Sequence, residues 1–202
     1  MKKSTSQDLY GLVLVGGKSA RMKQDKASLK YHGQEQSVHC FHLLERFCSK
    51  VFLSNRKDQR DSAGQKGFPQ IHDAESFLDI GPLAGILSAM EKYPDVSWLV
   101  LACDLPFVDE KTIQYLIDHR NPVKIATVFK SVHDNLPEPL CAIYEAHGQK
   151  SLKDFLKQGI QCPRKILINS DTELLTPPDK KALENINYPE EYSKVCGKHD
   201  RE

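Results

Sequence analysis

The first apolar run of the chain ends in a sharp turn, and this turn restricts both the fold and the ligand. Residues 12–15 are all apolar and are followed by Gly16 and Gly17. Such a run is typical of a buried strand in a parallel sheet. Because glycine has no Cβ, the backbone after the strand can turn tightly and approach a ligand closely.

Basic side chains follow this glycine pair, at Lys18, Arg21, Lys23 and Lys26. Backbone N–H groups in such a turn can bind anionic oxygens, and basic side chains can neutralise them. The segment therefore predicts a phosphate-binding loop that suits a nucleoside triphosphate, although it matches neither of the two common phosphate-loop patterns. The alternative is an ordinary turn whose basic residues face solvent.

Strand-like and helix-like segments alternate along the rest of the chain. This alternation predicts an α/β fold: a single Rossmann-like three-layer domain over residues 1–192, with a mostly parallel sheet and helices on both faces. The polar segment 193–202 is predicted to be a frayed tail. The predicted strands are 12–15, 50–53, 70–72, 98–103, 124–129, 139–144 (with antiparallel pairing as one alternative) and 165–168. The predicted helices are 36–48, 83–90, 113–117, 151–158 and 179–185.

Composition excludes several classes of partner. The formal net charge is +1, so the chain has no general attraction for nucleic acid or for a membrane surface. No segment approaches the roughly 20 apolar residues that a membrane-spanning helix needs. The six cysteines are widely spaced and form no C-x-x-C pair, which predicts reduced, mostly buried thiols in a cytoplasmic protein.

Three loops are predicted to meet beyond the carboxyl ends of the strands, where open parallel sheets bind their ligands. They begin at Gly16, Asn55 and Asp104. The position of Asp104 after an apolar run suits a carboxylate that binds Mg²⁺. The alternative is that Asp104 caps the next helix or turn. Asn55 can contact a base or a ribose, or it is a turn residue. Gly81 opens a helix whose N-terminus serves either a nucleotide or only the fold.

Taken together, these motifs resemble the molybdenum cofactor guanylyltransferase family. The matching segments follow one another from about residue 12 to residue 191. They are Gly16-Gly17-x-Ser19-x-Arg21-Met22-x-x-Asp25-Lys26, Ser54-Asn55-Arg56, Ile71-His72-Asp73, Gly81-Pro82-Leu83-Ala84-Gly85, Cys103-Asp104-Leu105-Pro106, Glu138-Pro139-Leu140 and Asn185-Ile186-Asn187-Tyr188-Pro189-Glu190-Glu191.

The resemblance implies an enzyme that transfers GMP from GTP to the phosphate of molybdenum-molybdopterin and releases pyrophosphate. It implies Mg²⁺ as cofactor, bound by Asp104, and a catalytic role for Arg21, Lys26 and Asp104. Asn185 and Asn187 would lie on the molybdopterin side, and other molybdenum cofactor enzymes are possible partners. The implied GTP-binding residues are Leu14, Val15, Gly16, Gly17, Lys26, Asn55, Asp73, Gly81 and Asp104.

The sequence departs from the family pattern at two positions. Lys23 stands where the family has glycine, and Tyr188 stands where it has threonine. One alternative is a related nucleotidylyltransferase that uses CTP on molybdopterin or that acts on a sugar or alcohol phosphate. Another is a nucleotide-binding regulator without turnover.

Overall fold

The computed structural model describes residues 8–15, 35–56 and 66–185 of the chain. Within these residues the backbone forms one seven-stranded sheet in the order β3-β2-β1-β4-β6-β5-β7. The strands are β1 (Leu9–Leu14), β2 (Lys50–Asn55), β3 (Gln70–His72), β4 (Ser97–Ala102), β5 (Ala126–Lys130), β6 (Pro137–Tyr144) and β7 (Thr172–Leu175).

Strand direction places the loops that follow β1, β2, β3 and β4 at one edge of the sheet. β2 pairs in parallel with both β1 and β3, and β1 pairs in parallel with β4. β6 is antiparallel to β4 and β5, and β5 is parallel to β7. The carboxyl ends of β1–β4 and the first residues of β6 therefore share an edge, called here the carboxyl edge. The prediction that 139–144 is an antiparallel strand is confirmed.

Helices cover both faces of the sheet, which confirms the three-layer architecture. One apolar cluster joins the sheet to α2, α4 and α5, and a second joins the opposite face to α1 and α3. The helices are α1 (Gln36–Glu45), α2 (Pro82–Lys92), α3 (Glu110–Asp118), α4 (Gly148–Lys157) and α5 (Pro163–Ile168).

β4 is the most deeply buried strand of the described sheet and anchors its centre. All six of its residues are buried, and Trp98 is among the largest fully buried side chains. A strand covered by helices on both faces needs apolar residues at every position rather than at alternate ones. The continuous apolar run seen in the sequence is thus explained by its central place between β1 and β6.

The prediction of a strand at 165–168 is wrong. These residues belong to α5, which begins with Pro163 in its first turn and buries Ile166 and Leu167. Proline is favourable at a helix start because its φ angle is already helical and no N–H is lost there. The strand lies at Thr172–Leu175 instead, on the edge of the sheet. The short helix predicted at 179–185 is a 3₁₀ helix at Lys180–Leu183.

The cysteines that the structure describes are free thiols. Cys40, Cys103 and Cys141 are buried, whereas Cys162 is exposed. Burial raises the pKa of the Cys141 thiol, so this side chain stays protonated and packs as a small apolar group. None of the described helices has the length and apolar character needed to cross a membrane.

Candidate active site at the carboxyl edge

Backbone hydrogen bonds continue beyond the strands and hold the ends of β1–β4 together. The N–H of Val15 donates to the carbonyl of Ser54 at 3.0 Å, and the N–H of Cys103 donates to the carbonyl of Leu14 at 3.3 Å. The N–H of Asp73 donates to the carbonyl of Asn55 at 3.2 Å. The predicted convergence of loops at one edge is therefore confirmed for the described strand ends.

Several residues of the predicted site lie outside the described residues. They are Gly16, Gly17, Arg21, Lys26 and Asn187. Asn185 is described and exposed, and it follows Leu183, which packs with the cluster on the α1 and α3 face.

Asp104 lies two residues after the end of β4, at the carboxyl edge, and is half-buried, with its Oδ1 atom fully buried. The helix-cap alternative for this residue is wrong. Asp109 caps α3 instead, because its Oδ1 accepts the N–H of Thr112 at 2.9 Å and the hydroxyl of the same residue at 2.7 Å. The Asp104 carboxylate therefore lies at the carboxyl edge without capping α3.

Glu138 is a second carboxylate at this edge. It lies at the start of β6 and is 5% exposed. Its Oε2 accepts from Nη2 of Arg164 at 3.0 Å, and its Oε1 accepts the N–H of Leu140 at 3.2 Å. Burial raises the pKa of Glu138, the charge of Asp104 acts in the same direction, and Leu140 and Arg164 oppose them. A negative charge on Asp104 thus disfavours ionisation of Glu138.

Arg164 links this carboxylate to the loop between β5 and β6. Its Nη1 donates to Oδ2 of Asp134 at 3.2 Å, while Nη2 holds Glu138. The loop itself is closed by the N–H of Ser131, which donates to the carbonyl of Leu136 at 2.8 Å. One guanidinium group from α5 thus holds the β5–β6 loop against the start of β6 at the carboxyl edge. The sequence pattern assigns no role to Arg164, because its contact with Glu138 depends on the packing of α5 against β6.

The side chain of Asn55 belongs to a hydrogen-bonded row across β2 and β3. Asn55 is 1% exposed. Its Nδ2 donates to Oε1 of Gln70 at 3.0 Å, and its Oδ1 lies 2.6 Å from Nδ1 of His72. Asn55 is thus a buried polar residue at the end of a strand and not a solvent-exposed turn residue. The sequence pattern includes His72 only as part of the segment Ile71-His72-Asp73, and it assigns no role to either His72 or Gln70.

Two glycines explain how α2 lies directly on the strand ends. Gly81 adopts a φ of +65° immediately before the helix, a conformation that side chains disfavour. A Cβ atom at Gly85 would meet Oγ of Ser54 at 2.2 Å and Cδ2 of Leu14 at 3.1 Å. The glycine-rich entry to α2 therefore serves the fold at Gly85, and it brings the start of the helix to the carboxyl edge.

The Asp104 carboxylate fits a divalent cation whose coordination substrate oxygens would complete. Mg²⁺ takes oxygen ligands and is usually held by one or two carboxylates together with waters and substrate phosphates. Asp104 would supply one such group, whereas Glu138 is ion-paired with Arg164. Among residues 8–15, 35–56 and 66–185, no cluster of three or more histidine, cysteine or acidic side chains could hold a metal ion by itself.

Comparison with known proteins gives consistent similarities. The chain matches the MobA-like NTP transferase domain over residues 11–173. A molybdenum cofactor biosynthesis bifunctional protein of Synechocystis sp. is 36% identical over 187 residues, which cover 93% of this chain and 53% of that protein. The chain therefore spans about half the length of this relative. A probable molybdenum cofactor guanylyltransferase of Clostridium perfringens is 32% identical over 164 residues, covering 81% of this chain and 73% of that protein.

A solved structure supports the fold. The crystal structure of molybdopterin-guanine dinucleotide biosynthesis protein A from Archaeoglobus fulgidus is similar with a TM-score of 0.78 and 22% identity. The similarity covers 96% of this chain and 100% of that chain. At this level of identity the likeness shows a shared α/β architecture.

Proposed function

The chain belongs to the family of the MobA-like NTP transferase domain, and on that premise we propose that it transfers GMP from GTP to the terminal phosphate of molybdenum-molybdopterin. The observation that carries this proposal is the meeting of Leu14, Asn55, Asp73 and Asp104 at one carboxyl edge. An edge of this kind is where open α/β sheets bind nucleotides.

The reaction needs no side-chain nucleophile. A phosphate oxygen of molybdopterin attacks the α-phosphorus of GTP and forms the new P–O bond. The bond from that phosphorus to the bridging oxygen breaks, and pyrophosphate leaves with the electron pair. Catalysis then depends on alignment of the two phosphates and on neutralisation of their charge.

Asp104 is the proposed ligand of Mg²⁺, which when bound would neutralise the phosphate charge. Arg21 and Lys26 are proposed to bind the phosphates, at the loop that follows β1. Glu138 is buried at the same edge, where its ion pair with Arg164 offsets its charge. Arg164 keeps that carboxylate in place through its hydrogen bond to Oε2.

The nucleotide is proposed to lie along the ends of β1, β2 and β3 and against the start of α2. Leu14 and Val15 would contact its base and sugar, with Gly16 and Gly17 at the turn that follows. Asn55, Asp73 and Gly81 would complete the binding site. Asn185 and Asn187 are proposed to lie on the molybdopterin side.

The domain bounds, the cellular location and the partners are proposed on the same premise. Residues 1–192 are proposed to form the nucleotidyltransferase domain, and the reaction is proposed to take place in the cytoplasm. Because the Synechocystis relative is bifunctional and about twice as long as the matched region, other molybdenum cofactor enzymes are the proposed partners.

Calorimetry with GTP, CTP, ATP and UTP, each with and without Mg²⁺, tests the nucleotide. We expect GTP with Mg²⁺ to bind most tightly, because a site that hydrogen-bonds one base leaves buried polar groups unpaired with another. Pyrophosphate release in the presence of molybdopterin tests turnover. Equal or tighter binding of CTP would contradict guanylyl transfer, and GTP binding without pyrophosphate release would indicate a regulator.

A further inference from the structure

The hydroxyl group of Ser88 connects α2 to the turn that follows β3. Its Oγ accepts the N–H of Ala74 at 2.8 Å. Ala74 comes directly after Asp73, which is the first residue beyond β3. Asp73 and Ala74 are half-buried, whereas Ser88 is 4% exposed. A buried residue of the helix thus holds the backbone at the point where β3 ends.

We propose that Ser88 is a positioning residue for the nucleotide, because it fixes the direction in which the side chain of Asp73 leaves the backbone. This inference rests on the proposed function, in which Asp73 contacts the nucleotide. Ser88 acts without touching the ligand, through the peptide group that Asp73 shares with Ala74.

Both peptide groups beside Asp73 are held by hydrogen bonds. The N–H of Asp73 donates to the carbonyl of Asn55 at 3.2 Å, and the N–H of Ala74 donates to Oγ of Ser88 at 2.8 Å. Because peptide groups are planar, the orientations of the two groups that flank a residue fix its φ and ψ angles and the course of its Cα–Cβ bond. The direction of the Asp73 side chain therefore depends on the bond to Ser88.

The chain beyond Ala74 is anchored separately. A short 3₁₀ helix follows at Glu75–Phe77, and the N–H of Phe77 donates to the carbonyl of Ala74 at 2.9 Å. Phe77 is 6% exposed and packs in the apolar cluster between the sheet and α2. These contacts act on the carbonyl side of Ala74, whereas Ser88 acts on its N–H side. Loss of the Ser88 hydroxyl should thus loosen the Asp73 side chain and leave the rest of the turn in place.

One face of α2 organises the strand ends of the proposed nucleotide site. Gly85 and Ser88 are three positions apart and so lie on the same face of the helix. A Cβ atom at Gly85 would meet side-chain atoms of Ser54 and Leu14, at the ends of β2 and β1. Ser88 holds the residue pair that follows β3. This helix face therefore sets the relative positions of three strand ends.

The helix itself does not require a serine at position 88. Serine is a weaker helix former than alanine, and a buried hydroxyl group costs free energy unless it is hydrogen-bonded. Alanine would occupy the same place and suit the helix better, so the contribution of the hydroxyl is its bond to Ala74. We therefore expect Ser88→Ala to fold.

The test compares Ser88→Ala, Asp73→Ala, the double variant and the control Thr127→Val. Thr127 is fully buried, and its Oγ1 accepts the N–H of Asn121 at 2.9 Å. It pairs with Ile143 near the end of β6, so it lies away from the carboxyl edge. GTP binding with Mg²⁺ is measured by calorimetry, KM for GTP and kcat by pyrophosphate release, and stability by urea unfolding.

We expect Ser88→Ala to weaken GTP binding about tenfold. KM should rise by a similar factor with little change in kcat, because the lost bond acts on binding and not on the transferring phosphate. Thr127→Val also loses a buried hydroxyl bond, but it should bind GTP as the native chain does. In the Asp73→Ala background, Ser88→Ala should change GTP binding by less than about twofold, because no side chain is left to position.

Amide hydrogen exchange tests the same coupling in the native chain. If the Ser88 bond favours GTP binding tenfold, GTP binding must favour that bond by the same factor. Saturating GTP with Mg²⁺ should therefore slow exchange of the Ala74 N–H by about tenfold. Exchange of the Asn121 N–H, which Thr127 holds, should stay the same.

Four results would overturn the inference while the proposed function stands: native GTP affinity in Ser88→Ala, a fall in its kcat with unchanged KM, an equal loss with and without the Asp73 side chain, or a loss as large in Thr127→Val. If Ser88→Ala does not fold, the exchange measurement decides, and equal exchange at Ala74 with and without GTP would contradict the inference. Failure of the native chain to bind GTP would instead overturn the proposed function, and this inference with it.

Discussion

At the scale of single residues, Asp104 and Glu138 show what a sequence reveals about a carboxylate. Asp104 is conspicuous because it directly follows a continuous apolar run, and the sequence predicts that it binds Mg²⁺. Glu138 was quoted only as part of a motif. Its 5% exposure and its bond to Arg164 depend on the packing of α5 against β6, which no local pattern records.

Replacement of Asp104 by asparagine should reduce turnover by about a hundredfold or more while leaving the fold nearly unchanged. Asparagine keeps the shape of the side chain and removes the charge that is proposed to hold Mg²⁺. Pyrophosphate release under saturating GTP and Mg²⁺ measures the loss, and urea unfolding measures stability.

Asp109→Asn is the matched control for this variant. Asp109 is five positions further on and caps α3, and asparagine is an equally good cap, so turnover and stability should both be retained. Native turnover in Asp104→Asn would show that Asp104 only shapes the turn after β4.

At the scale of secondary-structure elements, the position of α2 on the sheet depends on the absence of a side chain at Gly85. A Cβ atom at Gly85 would lie 2.2 Å from Oγ of Ser54. We expect Gly85→Ala to reduce the free energy of unfolding by about 1–3 kcal/mol, since overpacking forces the helix away from the strand ends. The midpoint and slope of urea unfolding measure this change.

A double-mutant cycle with Ser54→Ala identifies the cause. Removal of the hydroxyl takes away the closest contact, so Gly85→Ala should cost less in the Ser54→Ala background than in the native chain. The remaining cost should not vanish, because Cδ2 of Leu14 would still lie 3.1 Å from the added atom. An equal cost in both backgrounds would mean that helix–strand contact at Ser54 does not limit this position.

At the scale of the whole molecule, a buried ion pair lies at the opposite end of the strands from the carboxyl edge. Glu145 is fully buried, and its two oxygens accept from Nε and Nη2 of Arg120, each at 2.7 Å. The hydroxyl of Ser97, at the start of β4, donates to the same carboxylate at 2.7 Å. The group ties the segment after α3 to the end of β6 and the start of β4.

Removal of either partner should strongly destabilise the fold. We expect Glu145→Ala to cost about 3–5 kcal/mol in the free energy of unfolding, because Arg120 would then keep a largely buried and uncompensated charge. The exposed pair of Lys157 and Asp154 is the control, and Asp154→Ala should change the free energy of unfolding far less, because water screens an exposed pair. Similar losses for the two variants would show that the buried pair adds nothing beyond surface charge.

The sequence by itself determined the features that local patterns encode. Apolar runs without alternation predicted the buried strands, and the alternation of strand-like and helix-like segments predicted the α/β fold. The glycine-rich turns and the aspartate after β4 then indicated a nucleotide edge, through a resemblance that spans most of the chain. These inferences succeed because each depends on side chains that are neighbours in sequence.

Only the tertiary structure decided how distant segments meet. It assigned residues 165–168 to α5, because burial of Ile166 and Leu167 against the sheet favours a helix there and leaves Thr172–Leu175 as the edge strand. It also joined Asn55 to His72 and brought Glu138 near Asp104. Strand order and direction create these contacts, and they depend on the packing free energy of the whole sheet rather than on any local pattern.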